Sequence, residues 1–145
     1  MPATVIQLFN PDATRQLARP LFSSAVQAGF PSPADDYLER ELDLNEHCIK
    51  HPAATYYVRV SGDSMEKAGI YHDDILIVDR SLEARDGSIV VAVLDGELTV
   101  KRLSRRNGTL YLVPENDAYP VFEIQPDREF LIWGVVTGVV RTFDV

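Results

Sequence analysis

The chain has 145 residues, 46% of them hydrophobic, and a formal net charge of −8. That length suits one domain with an arm, and the acidic balance argues against a large nucleic-acid footprint, which needs clustered Lys and Arg. The single cysteine, Cys48, excludes an intrachain disulfide and fits a reducing compartment.

Residues 1–10 carry no basic region and no sustained apolar run, so they do not read as a secretory signal. Pro2, Pro11, Pro20, Pro31 and Pro33 predict an irregular arm over residues 1–40. Residues 30–33, Phe-Pro-Ser-Pro, should be extended, because residues before proline avoid the helical region. Asp43 can cap a short helix that ends before Pro52, with Glu46 three residues on.

From there the pattern predicts strands over residues 56–60, 75–78, 88–94, 97–103, 109–113, 121–124 and 130–140. The last run is the most apolar in the chain but too short for a membrane span of about 20 residues. Its Val-rich makeup, with Gly134 and Gly138, suits a buried strand pair. A mainly β domain over residues 41–145 follows, soluble and cytoplasmic. Asp95-Gly96 and Asn107-Gly108 are two-residue hairpin signals.

The first hairpin fixes a register. A two-residue loop at Asp95-Gly96 sets Leu94 opposite Glu97, Ala92 opposite Thr99 and Val90 opposite Lys101. Side chains alternate along a strand, so Lys101 shares an apolar face with Val90, Ala92, Thr99 and Leu103. Arg102 lies on the other face, with Val100, Val91 and Ile89.

That placement gives Lys101 a chemical use. Ser64 stands in Ser61-Gly62-Asp63-Ser64-Met65, 37 residues earlier. A serine hydroxyl needs a base to become a nucleophile. An exposed lysine, with a pKa of about 10.4, is neutral in on the order of one molecule in a thousand near pH 7. Burial on an apolar face lowers that pKa and supplies the neutral amine. Gly62 permits a backbone angle that other residues avoid. Asp63 or Ser64 can cap a turn of helix before Gly69, and the Ser64 amide is a candidate oxyanion donor. Ala28-Gly29, with its small side chains, is a bond that could lie close to such a nucleophile.

Other clusters read as structural. Glu46, His47, Cys48 and His51 have helix spacing for zinc but no second ligand pair, so no metal is expected. Asp35-Asp36 and Asp73-Asp74 read as turn and cap residues. Arg102, Arg105 and Arg106 read as a solvated hairpin end, Cys48 as a small buried residue and Trp133 as a core or dimer contact.

Four stretches carry a resemblance: residues 29–37 (GFPSPADDY), 61–65 (SGDSM), 74–79 (DILIVD) and 96–101 (GELTVK). Together they resemble the UmuD family, self-processing relatives of the LexA repressor, over about residues 21–140. The resemblance implies the mainly β fold shared by LexA and signal peptidases, with an extended N-terminal arm. It implies Ser64 as nucleophile, Lys101 as general base, and cleavage at Ala28-Gly29 without a cofactor. RecA filaments on single-stranded DNA would stimulate that cleavage in the SOS response. The shortened chain, a homodimer, would serve a Y-family polymerase subunit as accessory in error-prone translesion synthesis.

Some members of the family have Cys-Gly at the scissile position, whereas Ala-Gly is the pair typical of the repressors. About 28 residues precede this bond, too few for a winged-helix DNA-binding domain. Trimming takes the net charge from −8 only to −9, so the expected switch is a freed surface, not a change of charge. Two alternatives stand beside this reading. One is a LexA-type repressor relative; the other is a non-enzymatic partner-binding module without its own DNA-binding domain.

Overall fold

The computed structural model of the chain describes residues 1–22 and 38–145. The expected mainly β architecture is present. The ten strands among the described residues are β1 Thr4–Phe9, β2 Ala18–Phe22, β3 Leu38–Asp43, β4 Thr55–Ser61, β5 Ile75–Asp79, β6 Ile89–Leu94, β7 Glu97–Arg106, β8 Thr109–Val113, β9 Phe122–Glu123 and β10 Phe130–Val140. One short helix, α1 (Leu44–Cys48), precedes β4. No helix among the described residues is long and apolar enough to cross a membrane.

The residues form two compact units, 12–50 and 1–11 with 51–145. In the smaller unit β2 and β3 pair antiparallel, Ala18 opposite Asp43. Asp43 caps α1 as predicted, its carboxylate accepting from the Asn45 and Glu46 amides.

In the larger unit the sheet order is β1-β4-β5-β10-β6-β7-β8-β9, and a further pairing of β1 with β7 closes six of the strands into a ring. Both hairpin turns have the backbone that two-residue loops require. Asp95 and Gly96 have φ of 50° and 82°, and Asn107 and Gly108 have 51° and 79°.

The β6–β7 register is the predicted one: Leu94 faces Glu97, Ala92 faces Thr99 and Val90 faces Lys101. The two faces feed two separate cores. Val91 and Val100 join Val58, Val60, Met65, Leu76 and Val78 on one side. Val90, Ala92 and Leu103 join Leu112 on the other. Residues 130–140 form one bulged strand instead of a strand pair, paired with β5 on one side and β6 on the other.

Pro2, Pro11 and Pro20 do not suppress regular structure. Pro2 and Pro11 lie just outside the ends of β1, and Pro20 lies within β2. In a two-stranded ribbon alternate amides face away from the partner, so a missing N–H is tolerated there. A bulge at Ile6 also breaks the period-2 pattern by which β1 would be recognised.

The buried Asp74 carboxylate is paired. Asp74 is 1% exposed and accepts from Arg141 Nε and an Arg141 terminal nitrogen at 2.6 Å each, and from the Tyr71 amide at 2.8 Å. Burial disfavours the carboxylate, but these donors outweigh it and hold the carboxyl below its ordinary range.

The close pairing of β10 with β5 generates a test. A Cβ on Gly134 would sit 2.6 Å from Val78 Cγ1, whereas one on Gly138 would sit 3.1 Å from the flexible end of Ile77. Gly134→Ala should lower stability by about 1–3 kcal/mol and Gly138→Ala by less than about 1 kcal/mol. Urea denaturation of both variants checks this, and equal midpoints would refute the difference in packing.

Candidate active site

The serine turn is built by close backbone approach. After β4 the chain turns at Gly62, whose φ is 98°. A Cβ there would lie 2.3 Å from the Pro2 carbonyl oxygen, so the position excludes a side chain on both grounds. The loop after β8 braces the turn from the other side. The Glu115 amide donates to the Ser64 carbonyl at 2.8 Å, and the Asn116 side chain donates to the Asp63 carbonyl at 2.9 Å.

The turn is then stapled at Asp63. The Tyr119 hydroxyl donates to its carboxylate, as does the Met1 amino group at 3.1 Å. These bonds hold the Asp63 carboxyl below its ordinary range, and the Asp63 bond pushes the Tyr119 hydroxyl up to about 12. Asp63 and Ser64 therefore do not cap the following turn. The short 3-10 segment Glu66–Ala68 has Met65 at its cap position and no side-chain cap bond, because the two nearby side chains are already engaged. Gly69 ends it at φ 83°.

Ser64 is fully buried, and β7 delivers Lys101 to it. Lys101 Nζ lies 3.0 Å from Ser64 Oγ, 3.2 Å from Thr99 Oγ1 and 3.0 Å from the Val100 carbonyl. Three acceptors suit the three protons of an ammonium. On deprotonation two N–H groups can still bond Thr99 and the Val100 carbonyl, which leaves the lone pair directed at Ser64 Oγ. Burial pushes the lysine down to about 8. A cleft of about 280 Å³ opens beside it, lined by apolar Leu94, Leu112, Pro120 and Phe122 as well as by Thr99 and Lys101.

The Peptidase S24-like family matches residues 20–137. The chain is 52% identical to protein MucA of Salmonella typhimurium over 126 residues, 86% of each chain. It is 48% identical to protein ImpA of the same organism over 91% of this chain and 90% of that one. LexA repressor 2 of Pseudomonas putida is 41% identical over 80% of this chain and 57% of its own. The chain belongs to the peptidase S24-like family, in its UmuD branch. That membership makes it a protein of serine peptidase kind.

In this UmuD-family chain the structure brings two of the four expected site residues, Ser64 and Lys101, into contact. Ala28 and Gly29 lie outside the described residues, as do residues 30–33 and Asp35-Asp36. Among the described residues no cluster of His, Cys, Asp and Glu could hold a metal ion. His51 instead bonds Asp79 at 2.6 Å, and Cys48 is half-buried, not buried. Trp133 packs partly buried against the core, edge-on to Tyr56 and under the Arg80 guanidinium. Arg102 pairs with Glu115 at 2.5 Å, beyond the β7–β8 hairpin, whereas Arg106 covers Tyr111 within it.

Sequence reasoning placed Thr99 on the Lys101 face but gave it no role. Its hydroxyl is a second anchor for the amine. The contributions of Tyr119 and Asn116 left no sequence signal, since they arrive from a loop more than 50 residues downstream of the turn they hold.

A depressed lysine pKa has a stability consequence of definite sign. Between about 8 and the unfolded value near 10.5 the unfolded chain binds more protons than the folded one, so stability rises with pH across that window. Below pH 8 the penalty is constant, at about 3 kcal/mol by about 1.36 kcal/mol per unit. Lys101→Met should therefore gain about 1–3 kcal/mol over the native chain at pH 7. The gain should shrink toward zero by pH 10.5. Urea titrations at the two pH values measure it; a pH-independent difference would mean that the amine is not desolvated.

Proposed function

We propose that this chain is a self-cleaving serine endopeptidase that hydrolyses its own Ala28-Gly29 bond. Ser64 is the nucleophile and Lys101 the general base. The observation that supports this most directly is the 3.0 Å approach of a desolvated lysine amine to a buried serine hydroxyl.

The chemistry proceeds in two halves. Neutral Lys101 takes the Ser64 proton as Oγ bonds to the Ala28 carbonyl carbon, and the carbonyl π electrons move onto its oxygen. Collapse of that intermediate breaks the bond to the Gly29 nitrogen, which leaves with the proton returned by the Lys101 ammonium. A water molecule then gives its proton to Lys101 and attacks the acyl-serine. Ser64 is regenerated and Ala28 becomes a carboxylate. The apolar cleft wall beside Lys101 favours the neutral amine with which each half begins.

Membership in the UmuD branch supports the wider role. RecA filaments on single-stranded DNA stimulate the cut during the SOS response. The shortened chain, as a homodimer, then serves a Y-family polymerase subunit in error-prone translesion synthesis. The comparisons favour the accessory role over that of a repressor, since MucA and ImpA match this chain over 86% and 90% of their own length and LexA repressor 2 over 57% of its own.

The test is mass spectrometry of the purified chain, with and without a RecA–single-strand filament. A new fragment beginning at Gly29 is expected, and the filament should raise its rate at neutral pH. Without the filament the rate should climb about tenfold per pH unit up to about 8 and then level, tracking the neutral lysine. Ser64→Ala and Lys101→Ala should each lower the rate by at least about a thousandfold. Persistence of the fragment in both variants would exclude this mechanism.

A further inference from the structure

The space beside Ser64 is occupied by the chain itself. The Ala3 amide donates to Ser64 Oγ at 2.7 Å, and Ala3 is 1% exposed. The Ala3 carbonyl accepts from the Val100 amide at 3.0 Å and from Thr99 Oγ1 at 3.1 Å. Thr4 pairs with Thr99 of β7 and with Ser61 of β4, and Pro2 and Thr4 line the cleft next to Lys101. An extended backbone thus bridges the two strands that flank the serine. It uses the same amide and carbonyl positions that an incoming extended segment would need.

This occupant is not held for cutting. A nucleophile attacks a carbonyl carbon from above the amide plane. Here Ser64 Oγ accepts the N–H of Ala3, so it lies near the plane of the Pro2-Ala3 amide, on the side away from that amide's oxygen. The bond also engages a lone pair that attack would use.

We propose that residues 2–5 are a built-in competitor for the Ser64 cleft, which must withdraw before the Ala28-Gly29 bond can enter. This inference deepens the self-cleavage reading and rests on it for the identity of the displaced segment. The competitor acts by backbone hydrogen bonding along β7, and its release is the step on which an activating partner can act. Such a partner need only favour the state with β1 withdrawn; it need not touch the reacting atoms.

The experiment uses the full chain and two variants, one lacking residues 2–5 and one carrying Ala3→Pro, which replaces the N–H that Ser64 accepts with a ring methylene. Two rates are followed at pH 9 without any partner. One is labelling of Ser64 by diisopropyl fluorophosphate, which needs no scissile segment. The other is appearance of the fragment beginning at Gly29. Both variants should label at least tenfold faster than the native chain, and a synthetic peptide of residues 1–9 should slow the deleted form again. Thermal unfolding establishes which variants are folded; if the deletion is not, Ala3→Pro and the peptide titration of native chain decide, the peptide then being expected to leave the native rate unchanged. Equal labelling rates in native chain and a folded variant would overturn the proposal. Faster labelling with no Gly29 fragment from any form would uphold the competitor and overturn self-cleavage at that bond.

Discussion

The site hangs on a lysine that the fold strips of water. A charged amine is costly in an apolar setting, and the β6–β7 hairpin imposes that setting from both sides. One face of the hairpin feeds the core around Val58 and Leu76, the other the core around Leu112. Lys101 is on the second face, next to Val90 across the ladder. From β7 it reaches the serine turn that follows β4, with Nζ 3.0 Å from Ser64 Oγ. The cost of the buried amine is not met by a local counter-charge: among the described residues no carboxylate bonds Lys101. A carboxylate there would hold the proton on the amine.

The serine side of the contact is secured differently. Its turn is anchored by Met65, fully buried in the core around Val58 and Leu76, and is held from the other side by polar staples, the Glu115 amide, the Asn116 side chain and the Tyr119 hydroxyl. A packed strand thus presents the amine, and a stapled loop presents the hydroxyl. Directional bonds suit the second task, because they fix the backbone of a turn whose Gly62 has positive φ and no side chain to bury.

Much of this was legible from residue pattern. The Asp95-Gly96 turn demands two left-handed residues, and once it is placed the period of two assigns every side chain on β6 and β7 to a face. Lys101 beside Val90 followed from that alone. The family motifs around Ser61–Met65 did the same for the serine. β1 was not legible. Val5, Ile6 and Leu8 do not alternate cleanly because Ile6 is bulged, and Pro2 and Pro11 read as breakers when they are boundaries. Its partners lie more than 45 residues away in sequence, and no local signal announces a pairing of that range. The stapling loop was illegible for the same reason.

The cut, if made at Ala28-Gly29, changes more than length. β1 pairs with β4 and β7, and β2 pairs with β3, so every strand pairing made by residues 1–22 is to a strand downstream of the bond. While the chain is intact, the pairing of β1 with its groove is intramolecular. After the cut the same contacts become bimolecular, and at cellular dilution the segment can depart. Hydrolysis would then convert a tethered strand into a dissociable one, with a charge change of only one unit. What it would uncover is the β4 and β7 edges, two rows of backbone groups next to an apolar cleft, which is the kind of surface that accepts an added strand from a partner.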